Sequence, residues 1–442
     1  MKKFLLRYES FLSGAVKLLL ALLVLVRICM AWPETPPVDT RYFVETSKLV
    51  LQGLSPYRSD TNTTIYKYPL QAPSMSLICM PLCFIPEKGQ NILFFACGVL
   101  TFFGFTALVF HYFGYDPRVW LRNRWRHLPV WIAVSMICIS SPFMLMLRHG
   151  QNASVAALLL FAALFYPARD KGANILLLGF SASMKYSLLT MQAPVLLIQK
   201  RWRLGVMGFC LFAVMVLSVG LWLDGIIPTL RDYILLLAND ISRGANSYSN
   251  MNSFQFVHVG FFRCDLVNKL MKVLMLALYA AVLVRIVLRI RKKGTPAAAE
   301  RLTAVEWGAF TMTTMAISYH RAYDGVLFLP FLGVMAVDAF GRLHDRQRSS
   351  GMRLVCALLL LAALIFWAVP QGLVFSLEND LGTALPMGEK LFLYAHAGPK
   401  RNLFPLYKIV TLVSSCLLLL AALLQPAADP PIGPKRENGD TP

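Results

Sequence analysis

Residues 204–223 read LGVMGFCLFAVMVLSVGLWL, twenty consecutive positions without a charged side chain, closed by Lys200-Arg201-Trp202-Arg203 on one side and Asp224 on the other. Twenty helical residues at 1.5 Å each span about 30 Å, the thickness of a bilayer's hydrocarbon core. A helix packed on a water-soluble core needs only one apolar stripe; this stretch is apolar all round, as a lipid-facing or deeply buried helix is.

The same pattern recurs at residues 11–31, 92–113, 129–147, 154–166, 173–183, 188–198, 266–288, 304–318, 326–340, 354–369 and 404–424. Over the 442 residues, 57% are hydrophobic and 15% charged. A soluble chain of this length has too little polar surface to hide so much apolar side chain. Barrel-like alternation is absent, so the class is all-α, a polytopic helical membrane protein.

The formal charge of +20 invites nucleic acid as a partner. The cations do not form one patch, however. They come as bursts between apolar runs: Lys2, Lys3 and Arg7; Arg118, Arg122, Arg124 and Arg126; Lys200, Arg201 and Arg203; Arg285 to Lys293; Arg342, Arg346 and Arg348. That is the positive-inside pattern, and it argues against nucleic acid. Residues 73–86 are apolar but short and carry Pro81. If they lie along the outer surface rather than cross, every burst falls inside, leaving roughly twelve crossings and both termini cytoplasmic. The outer loops are then 32–86, 224–264 and 372–403, with juxtamembrane helices expected in the first. Residues 1–424 read as a single transmembrane domain and 425–442 as a disordered cytoplasmic tail.

The nine cysteines lie mostly inside apolar runs, without a CxxC pair or an HExxH, and read as small core residues rather than metal ligands. The N-terminal Lys-Lys and apolar run resemble a signal peptide without a small-residue cleavage site, and are expected to be an uncleaved first span.

Four polar constellations interrupt the apolar text. The first outer loop carries Asp39, Arg41 and Tyr42, then Gly53…Pro56-Tyr57, then Tyr66-Lys67-Tyr68-Pro69-Leu70. Between two spans sits Arg148-His149-Gly150-Gln151-Asn152. Lys185 follows Gly179…Met184 in an apolar run, and Ser318-Tyr319-His320-Arg321-Ala322-Tyr323-Asp324 joins two further spans. Each has a structural reading: a solvated acid with an aromatic belt, a polar turn, a snorkelling lysine. On the preferred topology all four face the same side, where polar groups beside membrane segments must pair or line a wet cavity.

In their order these motifs resemble glycosyltransferase family 87, GT-C membrane enzymes that use polyprenyl-phosphate sugars. The family pattern has an Asp after the first span, a Gly…Pro-Tyr, a Tyr-Pro-Pro-Leu, an Arg-x-Gly-Gln-x-Asn turn, an Ala-Gly…Lys-Pro segment, an Arg-Trp-Arg, and a Ser-Pro…His…Asp turn. The counterparts here span residues 10–340: Asp39; Gly53…Pro56-Tyr57; Tyr68-Pro69-Leu70; Arg148-His149-Gly150-Gln151-Asn152; Gly179…Lys185-Tyr186; Arg201-Trp202-Arg203; and Ser318…His320…Asp324. Leu70, Tyr186 and Tyr319 replace prolines of the pattern.

The resemblance implies a GT-C-like fold. It also implies an inverting glycosyltransferase that moves a hexose, mannose being the family's best-known donor sugar, from a polyprenyl-phosphate donor to an envelope glycolipid or glycan acceptor on the extracytoplasmic face. Asp39 is then the general base and His320 positions it or shares its charge. Lys185, Arg148 and Arg321 hold the donor phosphate. Tyr57, Tyr68, His149, Gln151, Asn152 and Asp324 line the sugar and acceptor pocket. The scheme calls for no cofactor and no metal. A flippase for lipid-linked saccharides is the rival from another class, though the inverted repeats that mark such carriers are not seen. A polymerase or ligase would carry its basic residues in a late loop, whereas the motifs here are early.

Overall fold

The computed structural model describes residues 8–33, 35, 37–58, 60, 71–120, 122, 125–165, 171–244, 262–293, 302–317, 322–344, 355, 367, 371–385, 395–396, 402–403 and 406–424. Its described residues are helical apart from turns and a two-residue antiparallel pairing of Ala395–His396 with Asn402–Leu403.

Helix α1 is Glu9–Met30. Two juxtamembrane helices follow, α2 (Val38–Leu51) and α3 (Pro73–Cys79), the latter running into a 3-10 turn at Met80–Phe84. Then come α4 (Glu87–Tyr112), α5 (Leu128–Ile139), α6 (Ser141–His149), α7 (Ala153–Phe165) and α8 (Lys171–Met184). A 3-10 turn at Tyr186–Leu188 leads to α9 (Leu189–Ile198), α10 (Trp202–Trp222), α11 (Ile226–Gly244) and α12 (Asp265–Lys293). The chain closes with α13 (Ala304–Ile317), a 3-10 turn at Ala322–Leu327, α14 (Leu329–His344), α15 (Gln371–Ala384) and α16 (Leu406–Leu424).

Among the described residues, α1, α4, α10 and the Asp265–Arg291 stretch of α12 are long and apolar enough to cross a bilayer, and a bent pair over α5 and α6 makes a fifth. These helices bare their large side chains; Leu18, Leu19, Leu221 and Trp222 are all well exposed. Bilayer lipid covers such faces in a membrane protein. Six further apolar helices are 10–17 residues long.

The sequence reads residues 129–147 as one span, but the structure breaks it by 44° at Ser140. Pro142 is the reason. It has no N–H to offer and is tolerated only in a first turn, so α6 starts afresh at Ser141 with Ser140 extended (φ −63°, ψ 152°). The freed hydroxyl of Ser140 donates back to the Ile137 carbonyl at 2.6 Å.

Packing at the centre is aromatic. Phe102 stacks on Phe143 at 4.1 Å, Phe105 on Phe161 at 5.0 Å, and Trp307 on Phe331 at 6.1 Å. Two contacts give the bundle its ends. Lys17 in α1 donates to the carbonyls of Trp120 and Arg122, whereas Met30 at the end of the same helix accepts from Arg148. Lys17 and Met30 are thirteen helical steps apart, about 20 Å. Arg201 likewise caps the Ala163 and Leu164 carbonyls at the end of α7, while Asn152 precedes its start. Arg118, Arg122 and Arg126 and the 200–203 burst therefore lie at the end of the bundle opposite the Arg148–Asn152 turn.

Candidate active site

The turn after α6 is dictated by one glycine. Gly150 has φ +64°, its N–H bonds the Leu147 carbonyl at 3.2 Å, and the Gln151 N–H reaches back to the Met146 carbonyl at 3.0 Å. These two bonds make a Schellman cap, which satisfies the orphan carbonyls of the helix and needs a left-handed residue. A Cβ at position 150 would lie 2.0 Å from Thr40 Oγ1 and 2.9 Å from Pro37 Cβ. The missing side chain thus lets α2 press against the turn.

That approach delivers Asp39, in the first turn of α2, to the two residues flanking Gly150. The Gln151 amide Nε2 donates to Asp39 Oδ2 at 2.5 Å, and His149 Nδ1 lies 3.8 Å from the same oxygen. The carboxylate is 19% exposed, so it is sheltered yet reachable from solvent. Next along the chain, the Asn152 amide donates to the Met184 carbonyl at 3.2 Å. This fixes the residue before Lys185, where α8 ends and the backbone turns out (φ −149°, ψ 85°) into the 3-10 turn. Lys185 Nζ meets Asp324 Oδ1 at 2.8 Å.

Residues from all four constellations therefore meet at one end of the bundle. Asp39, His149 and Gln151 touch. Lys185 and Asp324 touch, and Asn152 bridges the two groups through the backbone. Arg148 sits beside them with its guanidinium on the Met30 carbonyl at 3.3 Å. Tyr57 is buried in edge-to-face contact with Tyr233 of α11 at 5.2 Å. Tyr68, His320 and Arg321 lie outside the described residues.

Tyr233 was not among the sequence candidates. Burial raises its phenol well above the ordinary value, with Tyr186, Tyr57 and Tyr42 adding to the shift, and burial pushes Tyr57 up as well. Tyr42 lies one turn after Asp39, and Tyr186 follows Lys185, so this tyrosine cluster borders both halves of the site. Helix α11 lies in a stretch read as outer loop; the spacing of Ile226, Leu230, Tyr233 and Leu237 was the signal for it. Just before α11, Asp224 pairs with Arg58 at 3.3 Å and ties it to the segment after α2.

A helical membrane bundle with carboxylates, amides and cations gathered at one end fits an enzyme acting on polar groups at the bilayer surface. The sequence comparison makes the class specific: this is a membrane glycosyltransferase. The chain belongs to glycosyltransferase family 87, whose sequence profile matches residues 66–318, more than half of its length. No curated protein matches it. Among solved structures, ArnT from Cupriavidus metallidurans in the apo state aligns over 93% of this chain and 76% of that chain, at 13% identity and a TM-score of 0.33.

Proposed function

We propose that this glycosyltransferase moves a hexose, with mannose the first candidate, from a polyprenyl-phosphate carrier to an envelope glycolipid or glycan acceptor. In this reading the site faces the extracytoplasmic side, both termini are cytoplasmic, and residues 1–424 form one transmembrane domain. The basic bursts at the opposite end of the bundle support that orientation, because cytoplasmic ends hold the excess Lys and Arg.

The observation that carries the reading is the pairing of a restrained carboxylate with a nearby half-buried cation. Gln151 and His149 hold Asp39, and Asn152 ties them to the segment that presents Lys185. A sugar phosphodiester already has a good leaving group, so the protein needs a base for the acceptor and a cation for the departing phosphate. Asp39 takes the acceptor hydroxyl proton as that oxygen bonds to the anomeric carbon. The bond from that carbon to the phosphate oxygen breaks, and its electron pair leaves with the carrier phosphate, held by Lys185 and Arg148. One displacement inverts the anomeric centre, turning a β-linked donor into an α-linked product.

The test is purified protein in lipid, incubated with a panel of polyprenyl-phosphate sugars, with glycosylated product and free carrier phosphate both measured. Equal amounts of the two, with one sugar favoured, are expected. Carrier moved across the bilayer without sugar transfer would replace this reading with a flippase.

A further inference from the structure

The Lys185–Asp324 contact works against a plain anion trap. Asp324 is 2% exposed and Lys185 14%, so the amine that is to hold phosphate is already matched by a buried carboxylate. Such a carboxylate is retained in a low-dielectric site only beside a cation. Its backbone is held in place as well. It sits on the 3-10 turn Ala322–Leu327, with Val326, Leu327, Phe328 and Leu329 fully buried behind it. Gly325 packs against Pro142 so closely that a Cβ there would lie 2.8 Å from the ring. The Lys185 backbone is held too, its N–H on the Ser181 carbonyl at 2.9 Å. A phosphate arriving at Lys185 therefore meets Asp324 as well.

The ligand's charge then matters. On the reading above, the donor is a phosphodiester with one negative charge. Transfer leaves a phosphomonoester, which carries nearly two negative charges above a second pKa of about 6. The acceptor proton stays on Asp39 and does not neutralise it. We propose that Asp324 is a charge discriminator, setting the Lys185 site to hold a monoanionic phosphodiester lipid and to release the dianionic carrier phosphate that the reaction makes. This rests on Lys185 being the phosphate ligand. It makes Asp324 a specificity-determining residue rather than a member of the sugar pocket, and it gives the enzyme a route out of product inhibition.

The experiment measures binding directly, so it does not depend on transfer. Full-length protein in lipid nanodiscs is titrated at pH 8 with polyprenyl phosphate and with its methyl ester, which carries the same chain and one charge fewer. The wild type is expected to bind the methyl ester at least as tightly as the phosphate. In Asp324→Asn the preference should shift toward the phosphate by about a hundredfold, the effect of removing the repulsion of one unit charge at about 6 Å and an effective dielectric of about 20. Asp324→Glu should keep the wild-type ratio. A wild type that binds the dianion tenfold more tightly, or an unchanged ratio in Asp324→Asn, overturns the proposal. If Asp324→Asn does not fold, the wild-type ratio alone decides. Lys185→Met separates the two claims. If it weakens both lipids while Asp324→Asn leaves the ratio fixed, only the discriminator fails. If it changes neither, the phosphate reading fails and the discriminator falls with it.

Discussion

The side-chain amide of Gln151 donates to the carboxylate of Asp39 across 112 residues of chain, joining α2 to the turn after α6. A carboxylate held by an amide donor is aimed, which is what a general base requires.

The first prediction concerns Asp39 itself. Asp39→Asn keeps the shape and can still meet residue 151, but it cannot take a proton. Transfer should fall by at least about 10²–10⁴-fold while donor binding and the thermal midpoint stay close to wild type. Rate and lipid binding measured on the same preparation check this. Full activity would remove Asp39 from the mechanism.

Gln151→Ala asks what the amide contributes. A hydrogen bond to a charged group is worth about 1.5–3 kcal/mol, so the loss corresponds to about 10–100-fold in kcat, with KM for the donor little changed. A change confined to KM would make Gln151 a substrate contact and not a positioning residue.

Gly150 and Gly53 make an internally controlled pair. Both have positive φ, +64° and +72°, but a Cβ at Gly53 meets nothing within 4 Å, while one at Gly150 collides with Thr40 and Pro37. Gly53→Ala should cost only the backbone strain, about 1 kcal/mol, and leave activity intact. Gly150→Ala adds the clash, pushes α2 and Asp39 off the turn, and should lower both the thermal midpoint and kcat. Equal effects from the two substitutions would mean that the close approach does not matter.

Much of this was legible in the sequence, and for a physical reason. Spanning segments announce themselves because lipid tolerates few charges, and polar groups such as Lys185 and Gln151 stand out against that background. Local chemistry with a short range was harder to read. Pro142 breaks a span, yet the apolar text runs through it, so residues 129–147 read as one piece. The approach of Thr40 to Gly150 joins positions 110 residues apart and leaves no pattern in either segment. The pairing of Lys185 with Asp324 was equally hidden; each residue was a candidate alone, and nothing in their spacing says they touch. The count of twelve crossings draws on apolar runs that the helices divide unevenly, several of them into pieces of 10–17 residues.

At the other end of the bundle, Arg289 grips Glu306 through both guanidinium nitrogens, at 2.8 and 3.0 Å, and Thr303 with Glu306 closes a capping box at the start of α13. Glu306 is 1% exposed, so Glu306→Gln leaves a charge poorly matched and should cost about 3–5 kcal/mol. The neighbouring Trp307 packs on Phe165, at the end of α7 away from Asn152. Stability should therefore fall while kcat per folded molecule holds. A matching loss of kcat in well-folded protein would show that this ion pair communicates with the site.

The tyrosine cluster gives a pH signature whose sign can be worked out. Burial holds the Tyr57 and Tyr233 phenols protonated well past their ordinary value of 10.0, whereas in the unfolded chain they ionise near it. The folded state thus binds more protons than the unfolded state between the two values, and stability falls as pH rises. The contribution is fully present below pH 10 and is lost progressively above it, up to the raised folded value. Thermal midpoints in detergent from pH 8 to 10.5 should be flat at first and then drop. The double variant Tyr57→Phe, Tyr233→Phe keeps the edge-to-face ring contact but has no phenols to ionise, so its drop should be smaller. If both proteins fall in parallel, other groups set the alkaline limit, and the burial of these two hydroxyls does not control it.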